Sequence, residues 1–475
     1  MGCPLMNGIP LMAWDWNVFP RGDQEKSESG SYDAIIIGAG LGGLSCAAAF
    51  ARQGFKPLVL EQKYIPGGYA TSFERPGGFT FDVSLHSTTV GLRNGIPNLI
   101  SGFPEIQDIT FVPHKTLYRT IYPEHDIRVP HRDVPGYIKI LQNHFPEEKE
   151  GIKGLFADIE GLTEDLNKYQ SSGGQVDMST FPQEFPFLFK NFNRTWGAMV
   201  DERIQDPKLK TIVSSLWGYF GLPPSKLSTF YYAMPLLGYL EEGGYYPIGT
   251  SQKISNAFAS LIKNKGGEIK CNTRVTKILT KDHAAYGVRT GDGKEYRGKF
   301  VISNANSVDT FTKMLDEKEH LKSYLKRMDS FSVSTSTFQI WLGLKKDYDH
   351  WKTFETDYFQ GKKDVYNKEK ERITGILIDK VEETLLPGLK DAIEVKVAAT
   401  PLTNVRFTSN YRGAIYGWDQ TLENSGNRRV DHRTPIKNLY LSGAWTYPGG
   451  GYGACIPSGL ICFSKVMEDL EKKNP

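Results

Sequence analysis

The segment Tyr32-Asp33-Ala34-Ile35-Ile36-Ile37-Gly38-Ala39-Gly40-Leu41-Gly42-Gly43 constrains this chain more than any other. An apolar run suited to a buried parallel strand passes directly into GxGxxG. Leu44 to Gln53 then reads as a helix closed by Gly54, and Pro57-Leu58-Val59-Leu60 as a second strand ending on Glu61. Strand, glycines, helix, strand and acid in this order predict a dinucleotide-binding βαβ unit. Gly38 is expected to make the tight turn, and Gly40 to let backbone approach a pyrophosphate. Gly43, with Ala47 behind it, is expected to let helix and strand pack closely. Leu41 belongs to the same cofactor turn, where the helix N-terminus offers free N–H groups to phosphate charge. Glu61 is expected to accept hydrogen bonds from a ribose.

The residues after Glu61 favour FAD. Gly67-Gly68-Tyr69-Ala70-Thr71-Ser72 and Gly77-Gly78-Phe79-Thr80-Phe81-Asp82 read as an extended loop laid against a cofactor, where a nicotinamide domain would continue into another βα unit. Near the other end, Asn438 to Ala444 reads as a short buried strand, followed by Pro448-Gly449-Gly450-Gly451-Tyr452-Gly453. Pro457-Ser458-Gly459 then opens a final helix. Its N-terminus is expected to face the pyrimidine end of a reduced flavin, where negative charge develops. Only one full fingerprint is present, so a dedicated NAD(P)H domain is not expected. The electron donor or acceptor stays open: oxygen, a quinone, a small reductant, transient nicotinamide, or no net electron flow.

The series GAGLGGL, LEQ, GGYATSF, GGFTFD, the long run from Gly249 to Ile278, and LYLSGAWTYPGGGYGACIPSG resembles the FAD-dependent family of bacterial-type phytoene desaturases, carotenoid isomerases and retinol saturases. The resemblance implies an α/β fold: a Rossmann-type, glutathione-reductase-like FAD-binding domain with a discontinuous mixed α+β substrate domain. It implies cofactor contacts at Gly67, Gly68 and Tyr69, at Val275 beside the adenine, and at Asn304 where a strand ends near the flavin. In the C-terminal signature it implies Gly443, Ala444, Gly451, Gly453, Ile456 and Ser458. Amine-oxidase relatives often carry an acid where this chain has Ala444, a departure that fits the polyene branch.

At 475 residues the chain is long enough for two domains with sizeable cores. A net charge of only +3 gives no reason to expect a nucleic-acid partner. Cys3, Cys46, Cys271, Cys455 and Cys462 show neither metal spacing nor a CxxC pair, which excludes an obvious metal centre and favours a reducing, cytoplasmic setting. No apolar run reaches membrane-span length. The N-terminus does not read as a secretory signal, and Met6 stands where a myristoylation pattern wants Ser or Thr. Residues 1–30 read as an arm. Residues 31–110, 246–310 and 416–475 read as the FAD-binding domain, and 111–245 and 311–415 as the substrate-binding domain. Within the cofactor part, a helix is expected over Ile254–Lys265, with strands over Glu268–Cys271, Arg274–Lys281, Ala284–Thr290 and Lys299–Ser303.

Flavin chemistry at an unactivated alkene needs positioning more than acid–base groups. The sequence shows no serine–histidine–acid series and no HExxH. Aromatics instead crowd 181–196 and 217–246. They read as domain core or, alternatively, as an apolar tunnel with a membrane-dipping mouth. Phe181–Trp196, with Lys190 and Arg194 interleaved, is the candidate for peripheral membrane contact. The catalytic candidates are Tyr246, expected over the ring, Glu242, expected to hold or supply a proton, and His86. Packing for the tyrosine and a solvated turn for the acid would explain them equally well, and the histidine reads more readily as a loop cap. Asn404, Arg406 and Thr408 read as a cofactor-proximal loop, and Cys455 as untethered. Three functions follow: desaturation or saturation of an apolar isoprenoid, redox-neutral cis–trans isomerisation, or lipid binding without catalysis, as in the prenyl-protein chaperones of this architecture.

Overall fold

The computed structural model describes residues 31–89, 100, 103, 106, 108–172, 176–177, 179–316, 318–345 and 363–472. The arm 1–30, with Cys3, lies outside the described residues.

Strands β1 (Tyr32–Ile37) and β2 (Pro57–Leu60) are buried along their whole length. A parallel strand covered on both faces has no polar side to show, so it reads as an unbroken apolar run. Between them, α1 (Leu41–Arg52) starts at Leu41 and not at Leu44, placing Gly42 and Gly43 in its first turn. Gly54 follows the helix at φ +83°, a left-handed position that costs glycine nothing. The stretch expected as one extended loop departs from that reading. Beyond Thr71 it folds back as a hairpin, with β3 (Ser72–Arg75) antiparallel to β4 (Phe79–Asp82).

The chain then forms a helical unit that includes α2 (Lys149–Ser171) and α3 (Thr229–Glu242). It returns through α4 (Thr250–Asn264), β5 (Glu268–Lys270), β6 (Val275–Lys281), β7 (Ala284–Thr290) and β8 (Glu295–Ser303). A second excursion carries β9 (Gln339–Leu344), α5 (Lys363–Thr384), β10 (Ile393–Ala399) and α6 (Pro401–Thr408). The last return gives β11 (Leu439–Leu441) and α7 (Tyr452–Glu471). The sheet order is β6-β7-β8-β1-β2-β5, with β11 also paired to β8. β8 joins two regimes: Glu295–Arg297 pairs antiparallel with β7, and the stretch from Gly298 runs parallel to β1, Tyr32 opposite Gly298 and Ile37 opposite Ser303.

α7 starts at Tyr452 and not at Pro457, which lies inside it. It crosses α1 closely at Gly459, where a Cβ would overlap Ser45 Oγ and Gly42 O. One hydrophobic cluster joins α1, α4 and α7 to one sheet face. The other face packs on Phe311, Leu315, Leu321 and Met328, so the core of the sheet runs past the boundary expected at 310. A separate cluster extends from Leu117 to Leu240.

That third cluster corrects the expected membrane stretch. Phe181, Phe185, Leu188 and Trp196 are all buried in it. Phe187 packs at Gly161, and only Phe189 is a large exposed apolar side chain there. Lys190 and Arg194 both pair with Glu202 and are thus engaged within the chain. Most of the apolar side chains of Phe181–Trp196 therefore belong to the core, with Phe189 exposed. Among the described residues no helix is long and apolar enough to cross a membrane.

Candidate active site

One cavity of about 1690 Å³ runs from the Gly38–Gly42 turn to the aromatic face of α3. Small-molecule pockets are commonly about 300–1,000 Å³, so this one has room for more than one ligand.

Gly38, Gly40 and Leu41 line the first end. Gly40 caps α1 without any side-chain hydrogen bond, and no acid stands in the first turn. The leading N–H groups are therefore left for an anion. Gly67 N donates to Ala39 O at 2.7 Å, which draws the lining residues Gly67, Gly68 and Tyr69 to the turn. A Cβ on Gly68 would lie 3.2 Å from Gly40 Cα. Gly43 does not line the cavity; a Cβ there would overlap Gly38 O, so it serves helix–strand packing. Asn304, at the end of β8, donates Nδ2 to Gly38 O at 3.2 Å and lines the cavity beside the turn.

Glu61 is buried at the same end. Its Oε2 accepts from Ala39 N and its Oε1 from Lys63 N, each at 2.8 Å. Burial nevertheless outweighs these donors and raises its pKa. A carboxylate has roughly four acceptor sites, so two backbone donors leave capacity for ribose hydroxyls. Val275, at the start of β6, is buried and lines the cavity nearby. An uncapped helix N-terminus, glycine backbones in close approach and a buried carboxylate at the strand end fit FAD.

Ala444, Trp445, Pro448, Gly450, Gly451 and Gly453 line the middle of the cavity. Three expected contacts instead lie behind this lining. Gly443, at φ +85°, donates its N–H to Ser458 Oγ at 2.9 Å, and a Cβ on it would overlap Asn304 Oδ1. Ile456 is fully buried, its carbonyl accepting from Ser45 Oγ. Gly443, Ile456 and Ser458 thus support the loop from the core side and do not line the site. Cys455 lines the cavity, but burial pushes its thiol up to about 12, which leaves it a poor nucleophile. Asn404, Arg406 and Thr408 also line it, from helix α6 and not from a loop. Thr400 with Pro401 and Thr403 forms a capping box there, a start signal present in the sequence.

Phe220, Phe230, Tyr231, Met234 and Tyr239 wall the far chamber. His86 and Glu242 both line it. The His86 ring meets Tyr219 edge-on at 6.0 Å. It is exposed into the cavity, yet the surrounding protein lowers its pKa by desolvation, opposed in part by Asp82. Tyr246 is the exception among the catalytic candidates. It does not line the cavity, because its hydroxyl donates to Asp82 Oδ2 at 2.9 Å. Asp82 also accepts from Ser251 N and Ser251 Oγ, both at 2.7 Å, so it anchors the hairpin to the start of α4. Sequence reasoning left Asp82 without a role; its place at the end of GGFTFD was the available signal. Among the described residues no group of His, Cys, Asp and Glu could hold a metal ion.

A family model described as flavin containing amine oxidoreductase matches residues 41–309. A prolycopene isomerase from an Oncidium hybrid cultivar is 30% identical, over 94% of this chain and 86% of its own. A neurosporene-forming phytoene desaturase from Rhodobacter capsulatus is 24% identical, over 95% and 97%. An all-trans-retinol 13,14-reductase from Danio rerio is 24% identical, over 92% and 86%. In fold, putrescine oxidase with bound putrescine matches at TM-score 0.60 and 14% identity, over 93% of this chain and 99% of that one. An oxidoreductase from Methanosarcina mazei matches at 0.59 and 17%, over 92% and 100%. The chain belongs to the flavin-containing amine oxidoreductase family and is an FAD-dependent enzyme.

Proposed function

We propose that this enzyme acts on carbon–carbon bonds of an apolar polyene, carotenoid- or retinoid-like, held in the chamber beside α3. The observation that carries this reading is the continuity of one cavity from the dinucleotide turn to an aromatic chamber. The names of the relatives agree with it.

When bound, FAD supplies electron-pair or hydride exchange at carbon. In this reading 31–110, 246–310 and 416–475 hold FAD, and 111–245 with 311–415 hold the substrate. The uncapped α1 N-terminus holds pyrophosphate, and Glu61 holds ribose hydroxyls. The aromatic walls exclude water and orient the chain of the polyene. His86, its pKa lowered by desolvation, accepts or returns a proton at the wall of the chamber that Glu242 also lines. Trp217 and Tyr219 line the cavity and are also exposed, so they form the mouth through which an apolar substrate leaves a bilayer.

Desaturation, saturation and redox-neutral isomerisation share this geometry. One observation favours isomerisation: the isomerase shares 30% identity, against 24% for the desaturase and the retinol reductase. Anaerobic incubation of oxidised and of reduced holoenzyme with a panel of carotenoids and retinoids in liposomes separates the outcomes. An isomerase leaves product mass unchanged and the flavin spectrum restored; a saturase or desaturase shifts the mass by a pair of hydrogens and the flavin with it. No conversion of any polyene, with turnover of an amine, would overturn the assignment.

A further inference from the structure

Arg429 is 2% exposed, and no carboxylate lies within ion-pair distance of its guanidinium among the described residues. Its donors go instead to the loops around the flavin signature. Nε donates to Thr446 O at 3.0 Å, and Nη2 to Trp418 O and Ala444 O, each at 2.9 Å. Nη1 donates to Asp419 O and Gln420 Oε1, each at 3.0 Å, and to Asn424 O at 3.2 Å. Every N–H is thus matched by a neutral oxygen, and no carboxylate makes a direct ion pair with the charge among the described residues. The nearby acid, Asp419, turns its carboxyl to Ser332 and feels Arg429 only at longer range; burial raises its pKa despite both. Burial lowers the Arg429 pKa to about 10, so the group stays charged at neutral pH.

A buried cation without a direct ion pair is costly to keep, and its position suggests what it is for. Ala444, Trp445, Pro448 and Gly450 line the cavity, and Arg429 sits directly behind them. A Cβ on Gly449 would lie 3.3 Å from its Cζ. Pyrophosphate at Gly40 and ribose at Glu61 would leave the rest of the cavity, as far as this loop, for the flavin ring. We propose that Arg429 is a charge-setting and positioning residue, a fixed cation one backbone layer behind the flavin ring that favours the negatively charged reduced cofactor. Oxidised FAD that accepts a hydride, two electrons with one proton, gains one negative charge. That charge is stabilised by a buried cation in a low-dielectric site more than by water-exposed ones. The inference rests on FAD alone and holds for any substrate.

Sulfite is a suitable probe, since its addition to oxidised flavin also creates an anion. Holoenzymes of wild type, Arg429→Lys and Arg429→Gln are titrated with sulfite, and their reduction potentials are measured. The charge-retaining Lys variant should stay near wild type. The Gln variant should bind sulfite about tenfold more weakly, with a potential lower by about 30 mV for each tenfold change in a two-electron couple. A Gln variant that keeps FAD, sulfite affinity and potential overturns the proposal. If that variant does not fold, wild type decides alone. Its reduced FAD should keep the anionic spectrum at a pH where free reduced FAD takes up a proton; a neutral spectrum there overturns the proposal.

Discussion

Glu61 shows how one side chain can meet two demands. It clasps the glycine turn through Ala39 and Lys63 while lining the site. Each stranded buried donor costs about 1–3 kcal/mol, so Glu61→Ala should lower apoprotein stability by that order and raise the FAD dissociation constant at least tenfold. An unchanged FAD constant would reduce Glu61 to a clasp. The pH dependence has a definite sign. Burial raises its pKa above the ordinary 4.5, so its contribution to stability is complete below that value and is lost as pH climbs through the raised one. Thermal melts of apoprotein should therefore show wild type losing ground to Glu61→Gln as pH rises toward neutrality. For His86 the shift is opposite: it charges only below the ordinary 6.5. In its proposed role, turnover holds at neutral pH and falls in acid, and His86→Gln lowers turnover by about 100-fold with FAD retained. Equal turnover in the variant would remove His86 from the chemistry. At this scale motif order put Gly40 and Glu61 on the cavity, and the family resemblance put Asn304 there. Tyr246 was misplaced because its partner, Asp82, is distant in sequence and pulls the hydroxyl away from the cavity.

Among elements, the α1 start separates two kinds of glycine. A Cβ on Gly40 meets only the end of the Asn304 side chain, at 3.0 Å, whereas one on Gly43 overlaps backbone at Gly38. Gly40→Val should therefore purify colourless with an apoprotein melting temperature close to wild type. Gly43→Val should destabilise the fold itself, by about 1–3 kcal/mol of overpacking. Equal melting temperatures for the two would contradict this division. The helix over Pro186–Asn191 gives a second contrast. Leu188→Ala should cost about 2–5 kcal/mol, as a buried leucine does, and Phe189→Ser less than about 0.5 kcal/mol, as an exposed site does. Chemical denaturation checks both. Regular elements with both faces covered were legible from their apolar runs, β2 to the residue. The aromatic stretch was not, since composition does not say which side chains face the helices around α2. The start of α7 was also missed, because Pro457 resembles a first-turn proline although the helix tolerates it further in.

For the whole molecule, the question is how a substrate insoluble in water reaches a buried chamber. With most apolar side chains of Phe181–Trp196 in the core, the exposed cavity-lining residues Trp217 and Tyr219 carry the proposed contact. The doubly serine-substituted enzyme should keep its FAD and its melting temperature. It should float less with liposomes and turn over liposome-held polyene at least several-fold more slowly; unchanged flotation would place the contact elsewhere. The cavity joining two excursions to one sheet was only partly legible, because the joining contacts, such as Tyr231 to Pro448, link residues far apart in the chain. The pairing of Tyr32 with Gly298, and of Val301 with Leu439, has a consequence for the birth of the protein. On the ribosome β1 emerges well before β8, and it waits through the making of the intervening chain for the neighbour on one side. An apolar strand with an open edge is a template for the wrong partner. Nascent chains of this enzyme should therefore depend on a holding chaperone until β8 and β11 emerge, and free flavin should rescue only chains already released.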